Sequence, residues 1–129
     1  MIAIDTNIVV RYLTGDDAAQ SQRARQLVDG SDVFVPMTVM LESEWVLRSA
    51  YAFDKARVVH ALRAFAGLPT VSIEQAPLVA DALDHADAGM DFADALHMGA
   101  SAHCTGLATF DRRFVKSADA TRSGFVYAP

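Results

Sequence analysis

Cysteine is nearly missing from this chain: its 129 residues include one, Cys104. No intramolecular disulfide can form, which fits a reducing compartment better than a stapled secreted domain. Cys104 falls at the end of an apolar-looking helical segment, a poor setting for a nucleophile. Long apolar runs are also lacking. No stretch reaches the roughly 18–20 residues of a membrane span, and the N-terminus has no basic region ahead of an apolar one. Neither an anchor nor a signal peptide is read there, and a cytoplasmic location is expected. Gly/Ser-rich linkers, low-complexity tracts and internal repeats are absent too, so residues 1–129 are expected to form a single domain. Excess positive charge is missing as well, since 11 Lys and Arg stand against 16 Asp and Glu for a net charge of −5. That balance limits non-specific polyanion binding. It does not exclude a nuclease, because acids that hold divalent cations reverse the local sign once the ion is bound.

At 52% hydrophobic and 21% charged, the chain has the composition to bury a real core. Short β-branched runs predict strands over 2–5, 33–35, 71–73, 107–109 and 124–127. Between them, apolar residues at helical spacing predict helices over 6–13, 16–28, 38–51, 54–66, 75–88 and 91–103. Gly15, Gly67 and Gly89 act as stops, and Asp54 as a cap. Strands alternating with long helices imply an α/β fold, a three-layer α/β/α sandwich around a mostly parallel central sheet.

Four acids sit at the punctuation points of this pattern. Asp5 follows the apolar run Met1-Ile2-Ala3-Ile4, which reads as a short buried strand. Glu42 lies on the helix after the second strand, Asp94 in the first turn of the helix before the fourth strand, and Asp111 two residues past that strand. Right-handed crossovers can bring such termini to one sheet edge, and that edge is where ligands bind in open α/β folds. Carboxylates gathered without positive partners raise one another's pKa values. Hard cations such as Mg²⁺ and Mn²⁺ resolve the conflict, since they prefer oxygen ligands. A pair of them activates water and stabilises both oxygens of a displacement at phosphorus.

The blocks carrying these acids are Ile4-Asp5-Thr6-Asn7-Ile8, Leu41-Glu42-Ser43-Glu44-Trp45-Val46-Leu47-Arg48, Asp91-Phe92-Ala93-Asp94-Ala95-Leu96 and Thr109-Phe110-Asp111-Arg112-Arg113-Phe114. In this order and spacing they resemble the PIN-domain ribonucleases, and more narrowly the VapC-type toxins of bacterial toxin–antitoxin pairs. The resemblance implies Mg²⁺-dependent cleavage of RNA, with Mn²⁺ able to substitute. It implies Asp5, Glu42, Asp94 and Asp111 as the catalytic, metal-binding acids, and a supporting hydroxyl at Thr6. It also implies a cognate VapB-like antitoxin and a homodimer.

Each candidate has an ordinary alternative. Asp5 can be a helix cap. Asn7 is read as turn chemistry or a supporting hydrogen bond. Glu44, two residues from Glu42, points elsewhere and is read as solvated, and Trp45 as core. Asp91 suits a cap, with a supporting role beside Asp94 as the alternative. Asp111 can simply make a turn. Asp81, Asp84 and Asp87 share one helix face and read as solvated surface, and the four histidines form no ligand motif. Arg112, Arg113 and Lys116 follow Asp111 directly and are candidates for substrate phosphates. A stand-alone PIN nuclease is the alternative to a toxin. A receiver-like module is disfavoured because no lysine lies at a strand end, and a haloacid-type phosphatase because Asn7 stands where a second Asp is needed.

Overall fold

The strands are two or three residues long, centred on β-branched and other apolar residues, and every ladder is parallel. A computed structural model describes all residues, 1–129. It falls into two compact units, Met1–Val79 and Ala80–Pro129. The first unit holds β1 (Ile2–Ala3), α1 (Thr6–Thr14), α2 (Ala18–Gly30), β2 (Val33–Val35), α3 (Met37–Ser49), α4 (Lys55–Ala66) and β3 (Val71–Ile73), and α5 (Ala76–Asp87) begins there. The second holds the rest of α5, then α6 (Phe92–Ala100), β4 (Leu107–Ala108), α7 (Arg112–Asp119) and β5 (Val126–Tyr127). The expected α/β fold with parallel strands is what is found. Its strands pair as two ladders, β1-β2-β3 and β4-β5, where the sequence predicted one sheet.

In the first unit, β2 is the middle strand, with Val33 opposite both Ile2 and Val71. Its position explains its burial: Val33 and Val35 are fully buried. By contrast β1 ends the ladder, and the expectation of a buried first strand is corrected, because Met1 is 79% and Ile2 49% exposed. Only Ile4, whose N–H donates to the Phe34 carbonyl at 3.0 Å, goes inside. Val9 and Val10 of α1, Val28 of α2, Met40 and Leu47 of α3, and Val58, Leu62 and Phe65 of α4 complete the core. Tyr12 meets Phe65 edge to face at 5.3 Å between ring centres. Truncating Phe65 to Ala would cost roughly 3–5 kcal/mol.

Acids set most of the helix starts, α3 following Pro36 without a side-chain cap. Asp17, Asp54, Asp91 and Asp111 each cap the helix that follows with a side-chain oxygen. Gly15 ends α1 in the left-handed region at φ 69°, which a Cβ would strain. In the second unit, α7 is a helix where the sequence pattern predicts none; Phe114 and Ala118, one turn apart, bury its inner face.

Candidate functional site

Asp5 stands just past β1 and caps α1. Its backbone is extended and its Oδ1 accepts from the Ile8 N–H at a long 3.3 Å. The side chain is exposed, so the capping role and a ligand role are compatible: one oxygen is engaged and the carboxylate faces water. Thr6, the first residue of α1, is only 7% exposed. Its hydroxyl donates to Oε1 of Glu42 on α3, which fixes that carboxylate from the neighbouring helix. Asn7 is exposed and makes no hydrogen bond to either acid. It borders a surface cleft of about 340 Å³ between α1 and α2.

Two readings on α3 are reversed. Glu44 is buried, at 6% exposed, and takes a two-bond grip from Arg48 one turn later, at 2.5 and 3.0 Å. Trp45 is 59% exposed. The inward stripe of α3 is Met40, Ser43, Glu44 and Leu47, the i, i+3, i+4, i+7 set of one helix face. Trp45 lies a hundred degrees off that face despite the apolar Val46 and Leu47 beside it. Ion pairing resolves what would otherwise be an isolated buried charge.

In the second unit Asp91 caps α6, accepting from the Asp94 N–H at 3.1 Å. Asp94 sits in the first turn, partly buried. Its carboxyl is pushed above the usual carboxylate range, first by burial and then by the negative charges of Asp91 and Asp111, with His97 opposing. Asp111 caps α7, its Oδ1 accepting from the Arg113 and Phe114 amides at 2.9 and 3.2 Å. The Asp94 carboxyl thus feels the charges of both Asp91 and Asp111, and none of the three forms an ion pair. Arg112, Arg113 and Lys116 are exposed on α7. Phe110, which the sequence reading passed over, is 87% exposed. Asp81, Asp84 and Asp87 are exposed, as expected.

The four predicted acids thus occupy two sets: Asp5 and Glu42 in the first unit, Asp94 and Asp111 in the second. Within each set the structure supplies a partner, Thr6 in one and Asp91 in the other. No three His, Cys, Asp or Glu side chains form a group that could hold a metal ion. The donor chemistry nonetheless suits a hard divalent cation. Every candidate ligand is a carboxylate oxygen, and the second set carries negative charge that no side-chain cation pairs with. The 340 Å³ cleft and another of about 550 Å³ along α2 include none of the four acids in their walls. No helix is long and apolar enough to cross a membrane.

A model of the PIN domain matches residues 2–120. PIN domains are generally nucleases, usually metal-dependent ones. No curated protein matches the chain.

Proposed function

Because the chain belongs to the PIN domain family, we propose that it is a Mg²⁺-dependent endoribonuclease, with Mn²⁺ able to substitute, acting as the toxin of a VapC-type pair. The observation that carries the metal-dependent part is the crowding of Asp94 by Asp91 and Asp111 with no side-chain cation paired to any of them. A protein that keeps such charge unpaired gains most from a divalent cation. Asp5 and Glu42 in the first unit, and Asp94 and Asp111 in the second, would be metal ligands, and the cation would supply Lewis acidity at the phosphodiester and lower the pKa of water.

The chain's own residues do the rest. Thr6 fixes the Glu42 carboxylate through its hydroxyl, so that side chain need not be ordered when substrate arrives. Asp91 closes the first turn of α6 and thereby sets the position of Asp94. Asp111 gives one oxygen to the α7 amides and keeps the other for a ligand. The reading takes residues 1–129 as one PIN-like domain acting in the cytoplasm, with RNA as substrate, a VapB-like antitoxin as inhibitor and a homodimer as the working form. The toxin part is supported by the four sequence blocks in their order and spacing.

RNA cleavage by the purified protein tests the enzyme. Activity with Mg²⁺ or Mn²⁺ that disappears in chelator, and in Asp5→Asn and Asp94→Asn, is expected. Cleavage that persists in chelator, or in the double variant, would overturn the metal-dependent reading. Expression in a bacterial host tests the biology. Growth arrest relieved by the small open reading frame beside this gene supports a toxin, whereas cleavage without arrest points to a stand-alone RNA-processing nuclease.

A further inference from the structure

Phe110 is the most exposed of the large apolar side chains that reach the surface, at 87% against 79% for the terminal Met1 and 59% for Trp45. Single exposed hydrophobics are ordinary, so exposure alone assigns nothing. The setting does more. Phe110 lies in the short connection between β4 and α7, and the backbone on both sides of it is tied down. The Thr109 N–H donates to the Tyr127 carbonyl at 2.9 Å. The Asp111 N–H donates to the Thr109 hydroxyl at 3.0 Å, and the Asp111 carboxylate holds the first turn of α7. A ring with nothing covering it is therefore displayed from a fixed frame. Its next neighbour is a candidate catalytic acid, and three exposed cations, Arg112, Arg113 and Lys116, follow within the first turns of α7.

An aromatic face beside unpaired cations is the combination by which proteins hold single-stranded nucleic acid, the ring stacking on a base and the cations taking the phosphates. We infer that Phe110 is a positioning residue: it stacks on an unpaired base of the RNA next to the cleaved bond. Arg112, Arg113 and Lys116 hold the flanking phosphates. This rests on the nuclease reading above. It makes the enzyme selective for RNA whose bases are unstacked, because a base inside a duplex offers no free face.

The test uses the full chain carrying Asp94→Asn, expected to bind without cutting, with Mg²⁺ and a single-stranded RNA carrying 2-aminopurine at successive positions. Adding Phe110→Ala is expected to weaken binding about tenfold and to abolish the fluorescence quenching that stacking produces. Phe110→Trp is expected to restore both, which a merely structural role would not do. Binding to duplex RNA of the same length is expected to be unchanged by either substitution. Equal affinity and quenching in Phe110→Ala, or no rescue by Trp, would overturn the inference while leaving cleavage by the wild-type protein intact. If the parent binds no RNA and the wild type cuts none, the nuclease reading falls and the stacking role with it.

Discussion

Glu42 in the first unit and Asp94 in the second are both candidate metal ligands, but their surroundings are opposites. Glu42 is exposed and receives a hydroxyl from the buried Thr6. Asp94 is partly buried, its carboxylate accepts no hydrogen bond, and its nearest charged neighbours include two more carboxylates. One is an acid oriented in advance by a donor, and the other an acid left in conflict. Preorganisation and stored repulsion are different ways to prepare a cation site. The first fixes geometry before the ion arrives, and the second makes the ion's arrival favourable.

The contrast can be broken by measurement. The largest expected effect is on Tm with added Mg²⁺. At about a hundred times its Kd, the ion would stabilise the wild-type protein by about 2.7 kcal/mol, and Asp94→Asn would lose most of that gain. Equal stabilisation of the two proteins would mean that Asp94 is not where the cation acts. Next is Thr6→Val, which removes the donor to Glu42 while keeping the side chain's shape. Cleavage should fall about 10–100-fold with the melting curve nearly in place, and Thr6→Ser should recover most of it. If Thr6→Val cuts RNA normally, the preorganised half of the comparison is wrong.

Asp91→Ala is smaller in stability. Losing the α6 cap is expected to cost about 1 kcal/mol in urea unfolding, while removing one of the charges that crowd Asp94. The smallest effect is the pH dependence of stability in chelator. A carboxyl whose folded pKa is raised binds its proton more tightly folded than unfolded. Its contribution to stability is therefore greatest below the ordinary value of 3.8 and is lost as pH rises from there through the raised value. The difference in Tm between wild type and Asp94→Asn should widen in that direction, with the variant ahead at neutral pH. A flat difference would show that Asp94 titrates alike in both states.

Much of the fold was legible because punctuation and period agreed. Strands at 33–35 and 71–73 and the helix after Asp54 fall where β-branched runs and caps place them. Where they disagreed, residue type misled. The inward face of α3 includes Ser43 and Glu44, so its stripe reads as polar. The apolar Trp45 drew attention to the wrong face. Helix α7 was hidden by Arg112 and Arg113 in its first turn, although Asp111 as cap with Phe114 and Ala118 beyond it is a sufficient signal. Exposure of β1 was not readable, since Ile2 looks the same in the middle of a ladder as at its end. The placement of Asp5, Glu42 and Asp94 on their elements followed from the sequence. Phe110 did not, because a lone aromatic between a strand and an acid carries no periodic signal.

Asp5, Asp91 and Asp111 each cap a helix with a carboxylate oxygen. Asparagine caps nearly as well as aspartate, and an aspartate codon becomes an asparagine codon through one nucleotide. At these positions a single transition removes the charge while leaving the helix start in place. Charge and helix start are thus separable at these three positions, because Asn there would keep the cap and change only the electrostatics around it.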